Sequence, residues 1–241
     1  MHFWRVLGIL VGGVLASAAR ADTHVVTADL PPFSIADHPD RPGFVVELAE
    51  AAFKRAGLPY RLEFLPWTRA QAVAKTEPDT IILGLTRTPD READYQWVAE
   101  VLQPKVVFIA VQPSKPIDDI ATAKTLPHIT VRASTPFETL LKHENFTNVE
   151  AVQAEDINAK KLQAQRADAW LTYDLRGVFV WREIGGNPAQ LVVGKPLSEE
   201  HLDIAASKQT NDETASKIAA AIAALRSDGT WDALHKKYFG E

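Results

Sequence analysis

The sequence predicts an α/β protein of two lobes, each a mainly parallel sheet flanked by helices. Short apolar runs typical of strands alternate with segments whose apolar residues recur every three or four positions. This alternation indicates mainly parallel sheets covered by helices. It begins again after Gln112-Pro113-Ser114-Lys115-Pro116, the predicted crossover between two units of about 90 residues each, a usual domain size.

The first 21 residues have the pattern of a cleavable secretory signal. Arg5 is followed by an uncharged run over residues 6–19, which ends in the cleavage pattern Ala19-Arg20-Ala21. The run is shorter than the roughly 20 apolar residues of a spanning helix. We expect Met1–Ala21 to be removed and the mature protein to be periplasmic, with a buried N-terminal helix as the alternative.

The composition limits the partners of the mature chain. Removing the leader takes away Arg5 and Arg20 and no acid, so the 26 basic residues fall to 24 against 31 acidic ones, a net charge of −7. Without a basic cluster, such a chain is not expected to bind nucleic acid or an anionic membrane. Since it has no cysteine, we expect stability to come from the apolar core and no lipid anchor on an N-terminal cysteine.

The clearest helix of the first half runs from Val45 to Ala56 and should end where Gly57 and Pro59 follow. The predicted strands of both halves are His24–Ala28, Tyr60–Phe64, Thr80–Leu85, Val106–Val111, Ile129–Val131, Asn148–Val152, Ala169–Leu171 and Leu191–Val193. A C-terminal helix carries an apolar stripe before Asp228-Gly229, and a last short helix follows with Thr230 as its predicted cap. The pattern leaves open which lobe these two helices join.

Both halves contain a strand that runs into Thr-Pro and then into a predicted helix. Thr88 and Thr135 suit the N-cap position, and Glu138 completes a capping box with Thr135. A helix start carries free N–H groups and partial positive charge, and ligands of open α/β sheets lie beyond the carboxyl ends of strands. The turns are candidate ligand sites, with ordinary helix starts as the alternative.

Arg91 is placed by this pattern in the first turn of the helix after Pro89, where the helix dipole disfavours a cation. A carboxylate held by the guanidinium fork would compensate the charge. The alternative is a solvated surface arginine among neighbouring charged residues.

Four stretches spread over nearly the whole mature chain match one protein family. They are Leu30-Pro31-Pro32-Phe33 with Gly43-Phe44-Val45-Val46-Glu47-Leu48; Asp79 to Arg91; Arg166-Ala167-Asp168-Ala169; and Asp228-Gly229-Thr230-Trp231 with Lys237-Tyr238-Phe239-Gly240. In these stretches and their order, the chain resembles the amino-acid-type extracellular solute-binding proteins, family 3. The resemblance implies the two-lobed type II periplasmic binding protein fold with a hinge, and capture of a small carboxylate-bearing solute, first of all an amino acid.

The resemblance also implies a ligand site. The turn that contains Gly84, Thr86 and Arg91 would hold the α-carboxylate of the ligand, and Ser134 and Thr135 would add donors from the second lobe. The implied partner is an ABC-type permease of the inner membrane, and the protein is expected to be a monomer without a cofactor.

Two crossings between the lobes are implied, near Ala110–Ser114 and near Lys195–His201. The expected division is therefore 22–110 for the first part of lobe 1, 111–200 for lobe 2, and 201–241 for C-terminal helices that return to lobe 1.

The chain departs from the family pattern at two places. Leu30 stands where an aromatic residue usually stacks on the ligand, so Trp67 is the candidate replacement, or else a tryptophan packed under the second helix. Tyr173 stands where an acid usually meets the ligand ammonium. Asp174 either takes that role or caps the following helix, and Asp29 is a further candidate. The solute need not carry an α-amino group.

Two other classes of function compete with solute capture. Some relatives of the fold are dehydratases acting on arogenate-like substrates, and Glu138, Asp29 and Asp174 are the available acids. A ligand-sensing periplasmic module is the other alternative. The histidines show no metal-ligand spacing, so no metal is expected.

Overall fold

A computed structural model describes residues 22–133 and 135–240, so the predicted signal peptide and Ser134 lie outside the described residues. The helices are α1 (Phe44–Ala56), α2 (Trp67–Thr76), α3 (Ile120–Lys124), α4 (Pro136–His143), α5 (Glu155–Gln163), α6 (Asp174–Glu183), α7 (Asp212–Ser227) and α8 (Thr230–Phe239). The strands are β1 (Thr23–Thr27), β2 (Tyr60–Phe64), β3 (Thr80–Thr86), β4 (Tyr95–Leu102), β5 (Lys105–Val111), β6 (Ile129–Arg132), β7 (Val149–Val152), β8 (Ala169–Tyr173), β9 (Leu191–Val193), β10 (Ser198–Glu199) and β11 (Leu202–Ser207).

The strands form two sheets flanked by helices, which confirms the predicted α/β class. The first sheet has the order β2-β1-β3-β11-β4, and β1 is parallel to both β2 and β3. The second has the order β10-β5-β8-β6-β7, with β9 also paired to β5, and β6 is parallel to β7 and β8. The strand that follows each crossing runs antiparallel to its neighbour among the parallel strands: β5 to β8 in the second sheet, and β11 to β3 in the first.

The chain first passes between the sheets at Gln103 and Pro104, between β4 and β5. The segment expected to cross, Ala110–Ser114, instead includes the end of β5, which lies in the second sheet. A proline-bearing segment resembles a linker in sequence, but the hydrogen bonding of β5 to β8 decides its lobe. The chain returns near Glu200 and His201, and β11 then joins the first sheet.

Sequence reasoning missed β4 and β11. The sequence of β11, Leu-Asp-Ile-Ala-Ala-Ser, carries a buried aspartate and two alanines, which are all poor strand formers. In β4, glutamine and glutamate interrupt the apolar residues without strict alternation. Pairing stabilises both strands despite these local preferences: β11 pairs with β3 on one side and with β4 on the other.

The C-terminal helices α7 and α8 pack on the first lobe, against α1. The indole N–H of Trp231 donates to the carbonyl of Val101 at 2.9 Å, and its ring meets that of Phe44 edge to face. Gly229, with φ 81°, is the N-cap of α8 and Thr230 is its first residue, so the prediction of Thr230 as the cap is wrong by one position. The left-handed turn there favours glycine.

Candidate functional site

The carboxyl ends of the parallel strands of the two sheets face each other. In the first sheet β1 and β3 end at Thr27 and Thr86, and in the second β6 and β8 end at Arg132 and Tyr173. Tyr173 and Thr86 lie close enough to each other across the lobes for the side chain of Thr86 to act on the phenol, whose pKa it helps to lower. This is the edge at which open α/β sheets bind ligands.

A cleft of about 560 Å³ opens between the lobes at this edge. Asp29, Pro31 and Arg41 line it from the first lobe, and Arg132, Glu155 and Glu183 are among the residues that line it from the second. Its volume is within the range of pockets for small molecules.

Arg91 is half-buried at the end of β3 in the first lobe, and it is not among the residues that line this cleft. Its Nη1 donates to the carbonyl of Thr86 at 2.9 Å, and its Nη2 donates to Oε1 of Gln71 at 3.0 Å. Both acceptors are neutral, and no carboxylate among residues 22–133 and 135–240 forms an ion pair with Arg91. Its positive charge reaches Tyr173, where it acts to lower the pKa of the phenol. The guanidinium is therefore held in place without being neutralised.

The backbone around Arg91 differs from the predicted helix start. Pro89–Arg91 is a single 3-10 turn that leads into β4, and the side chain of Thr88 makes no capping hydrogen bond. Thr88 is the N-cap and Pro89 the first residue, as predicted, but the predicted helix is only one 3-10 turn, because the edge strand β4 begins at Tyr95. The guanidinium, and not a helix dipole, supplies the positive charge here.

Two other predicted residues, Gly84 and Trp67, lie on the elements whose residues contact Arg91. Gly84, in β3, has φ 69°, and a Cβ placed on it would meet nothing within 4 Å. Trp67 is partly buried and begins α2, one turn before Gln71. Sequence reasoning missed Gln71, although its i+4 spacing from Trp67 places both on one face of the helix.

In the second lobe, Thr135 is the N-cap of α4, as predicted. Its hydroxyl donates to the carbonyl of Arg132 at 2.7 Å and accepts from the backbone N–H of Glu138 at 3.4 Å. The hydroxyl is thus occupied by the turn itself, which positions the strand end at Arg132. Ser134 lies outside the described residues.

The two aspartates proposed as ammonium contacts occupy different environments. Asp174 is the first residue of α6, and its Oδ1 accepts from the backbone N–H groups of Lys105 and Leu175 at 3.1 and 2.7 Å. These bonds favour the structural alternative, although Tyr173 and not Asp174 is the N-cap. Asp29 is exposed, lines the cleft, and accepts from the N–H of Ala36 at 3.0 Å.

Tyr173 is a buried, neutral phenol at the position where an acid is usual. Its ring packs edge to face on Phe137 at 4.8 Å and on Phe33 of the first lobe at 6.0 Å. Burial raises the pKa of Tyr173, and the cations Arg176 and Arg91 oppose the rise. The group therefore offers a hydroxyl and no negative charge to a solute.

Arg176 was missed by sequence reasoning and is the most deeply buried cation near the cleft, with 5% exposure. Its Nε donates to the carbonyl of Pro31 in the first lobe at 3.0 Å, and its Nη1 donates to Glu155 at 3.4 Å. Its guanidinium lies 5.0 Å from the ring centre of Phe33 and 5.2 Å from that of Tyr173. Burial lowers the pKa of Arg176, while Glu155 opposes this shift.

Asp203 is a second buried charge, close to the return crossing. It is 3% exposed, and its Oδ2 has no hydrogen-bond partner among the described residues. Burial raises the pKa of Asp203 to about 6. Asp203 therefore loses its proton at a lower pH in the unfolded chain than in the folded protein. As the pH rises above the ordinary aspartate pKa, this ionisation destabilises the fold progressively, and the loss of stability is complete above about pH 6.

An Asp203→Asn variant is expected to gain thermal stability at pH 8, because it removes the buried charge. The gain in Tm should be roughly 2–4 °C, which corresponds to about 1 kcal/mol at this size, and should disappear near pH 4. Melting curves at both pH values measure it. Asp90→Asn, at an exposed position, is the control. An equal change in Tm for Asp203→Asn at both pH values would contradict the raised pKa of Asp203.

Across residues 22–133 and 135–240, no helix is long and apolar enough to cross a membrane. In the same residues, no group of three His, Cys, Asp or Glu side chains is arranged to hold a metal ion.

Two α/β lobes joined by two crossings, with strand ends facing each other across a cleft, define a type II periplasmic binding protein. The chain belongs to the bacterial extracellular solute-binding proteins, family 3, whose sequence profile matches residues 23–241.

Solved structures share this fold at low sequence identity. The ligand-binding core of GluR0 from Nostoc punctiforme, in complex with L-glutamate, has a TM-score of 0.74 at 20% identity, with 91% of this chain and 100% of that chain covered. The arginine-, lysine-, histidine-binding protein ArtJ from Geobacillus stearothermophilus has a TM-score of 0.71 at 21% identity, with 91% and 96% covered. A histidine kinase sensor domain has a TM-score of 0.74 at 17% identity, with 91% and 96% covered.

Proposed function

We propose that this protein captures a small carboxylate-bearing solute, with an amino acid as the first candidate, in the periplasm and delivers it to an ABC-type importer. The observation that carries the proposal is the half-buried guanidinium of Arg91, which is held by two neutral acceptors at the end of β3. A carboxylate can accept two parallel hydrogen bonds from such a fork. Family membership and the bound amino acids of similar structures support the class of solute.

Capture would proceed by closure of the lobes around the solute. The first lobe supplies Arg91, the turn of Gly84 and Thr86, and the partly buried Trp67, while the second supplies Tyr173 and the N-cap residue Thr135. A solute stabilises the closed form only to the extent that it binds that form better than the open one.

A ligand screen on the chain from Asp22 to Glu241 tests this function. Thermal shift is measured with amino acids, mono- and dicarboxylates, and uncharged solutes such as sugars. A ligand present at 100 times its dissociation constant adds about 2.7 kcal/mol to the free energy of unfolding. We expect carboxylates to raise the Tm and their uncharged analogues not to. A panel in which only carboxylate-free solutes bind would refute the proposal.

The competing enzyme is less well supported by the geometry. Of the three acids considered, Glu138 pairs with Lys142 at 2.6 Å, Asp174 binds backbone N–H groups, and Asp29 is exposed. The protein is therefore proposed to be a binding protein without catalysis. Incubation with prephenate or arogenate, followed by assay for the dehydrated product, separates the two: turnover would establish the enzyme.

A sensory role is the second candidate, because a histidine kinase sensor domain shares the fold. Both roles use the same capture step, so a purified permease distinguishes them. Ligand-dependent stimulation of permease ATPase activity is expected for delivery and not for sensing.

A further inference from the structure

The side chain of Gln71, on α2, holds the guanidinium of Arg91. Its Oε1 accepts from Nη2 of Arg91 at 3.0 Å, while the carbonyl of Thr86, at the end of β3, accepts from Nη1 at 2.9 Å. Two elements of the first lobe thus bind two different nitrogens of one planar group. These two bonds orient the guanidinium and leave three of its five N–H donors for other partners.

Gln71 is itself held in position by other contacts. Its Nε2 donates to the carbonyl of Trp67, one turn earlier in α2, at 3.4 Å, so Oε1 is the amide atom directed to Arg91. The backbone carbonyl of Gln71 accepts from the hydroxyl of Tyr95, on β4, at 3.1 Å. The side chain is half-buried. Contacts with α2 and β4 therefore place this acceptor independently of Arg91.

The acids closest to Arg91 in sequence do not neutralise it. Glu92 and Asp94 form ion pairs with other cations, at 2.5 and 2.7 Å, and Asp90 is exposed. An amide oxygen such as that of Gln71 orients a cation by a hydrogen bond but brings no opposite charge. The charge of Arg91 is therefore left for a group that comes from outside the protein.

From these contacts we infer that Gln71 is a positioning residue of the solute site, and that its lack of charge makes the site specific for solutes with a free carboxylate. The inference rests on the proposed function and names the residue that sets its charge preference. A carboxylate at position 71 would form the ion pair with Arg91 that the solute is expected to form, and it would repel an incoming carboxylate. The neutral amide instead holds the guanidinium in place before the solute arrives, so less freedom is lost on binding.

Gln71→Glu separates the effect of charge from the effect of shape, because it keeps the acceptor oxygen and adds a negative charge. Without ligand, the Tm of the chain from Asp22 to Glu241 should rise by roughly 1–4 °C, since the contact with Arg91 becomes a partly exposed ion pair. Calorimetry then compares L-glutamate, L-arginine and L-alanine, each with its α-amide. The acid that binds the unmodified protein should lose at least tenfold in affinity, and its amide less than about twofold.

Gln209→Glu is the matched control, because it makes the same change at an exposed position of the first lobe. Gln209 follows the end of β11, and in the antiparallel pairing of β11 with β3 that end lies beside the start of β3, away from Thr86. The control should leave the affinity within about twofold. In an Arg91→Ala background, Gln71→Glu should lose most of its gain in Tm, because the partner of the new charge is gone.

Three results would overturn the inference while leaving the proposed function standing. One is an unchanged affinity of Gln71→Glu for an acid that binds the unmodified protein. Another is a lower Tm with equal losses for the acid and its amide, which would assign Gln71 to folding alone. The third is a gain in Tm that persists in full with Arg91→Ala. If no carboxylate binds the unmodified protein, the proposed function fails as well.

Discussion

Glu155→Gln is expected to lower the free energy of unfolding by about 3–5 kcal/mol, the usual cost of leaving a buried charge without its partner. Glu155 is 7% exposed and accepts from three groups: Arg176, the amide of Asn158 at 3.1 Å and the indole N–H of Trp170 at 3.2 Å. Glutamine keeps the size and one acceptor oxygen but loses the charge. Arg176 would then be a buried cation without an ion-pair partner among the described residues.

Urea unfolding at neutral pH measures this loss. Asp156→Asn is a matched control, since Asp156 is the next residue of α5 and its ion pair with Lys160 is largely exposed, so its loss should cost less than about 1 kcal/mol. A Glu155→Gln, Arg176→Met double variant should recover much of the lost stability, because it removes the unpaired charge. If Glu155→Gln and Asp156→Asn lower the free energy of unfolding by the same amount, Glu155 does not neutralise Arg176.

Arg91→Ala is expected to weaken carboxylate binding by tenfold or more, because hydrogen bonds to charged groups contribute about 1.5–3 kcal/mol. The guanidinium already makes its protein contacts without a ligand, so little conformational freedom remains to be lost when a carboxylate binds. Calorimetry with the tightest carboxylate found by the screen gives the change in affinity.

Arg87→Ala is the control for this variant. Arg87 lies on the same segment but pairs with Glu92 and lies over the ring of Trp97, at 5.2 Å, outside the cleft. Its removal should leave the affinity within about twofold. If Arg91→Ala remains folded, by its melting temperature, and binds the carboxylate as tightly as the unmodified protein, Arg91 does not hold the ligand.

The buried Arg176 connects the stability of the protein with the geometry of the cleft. Its Nε holds the carbonyl of Pro31, in the loop that follows β1, while its Nη1 holds Glu155 at the start of α5. A charged residue in this position is desolvated and costly, but its two bonds join the two walls of the cleft in this structure. The Glu155→Gln variant is therefore also expected to bind carboxylates more weakly, because the cleft walls lose this connection.

The elements with strong local patterns were predictable from sequence. The helix from Val45 to Ala56 was found as α1 with Gly57 in the left-handed conformation at its end, and the strand limits of Tyr60–Phe64 and Leu191–Val193 were correct. Periodicity of apolar residues and helix-stop residues decide such segments locally. β11 could not be found in this way, because its burial depends on a neighbouring strand that is far away in sequence.

The sequence by itself determined the α/β class, the repeated strand–helix pattern, the family resemblance and the choice of Arg91, since these depend on spacing and residue type within short segments. Only the tertiary structure decided that β5 belongs to the second sheet, that the helix at Pro89 is a single 3-10 turn, that Gln71 contacts Arg91, and that Arg132 lines the cleft while Arg176 joins its two walls. The contact of Arg176 with Pro31 joins residues 145 positions apart. Which charges are neutralised and which stay free depends on such distant contacts, because a charge pairs with whatever the fold brings within a few ångströms.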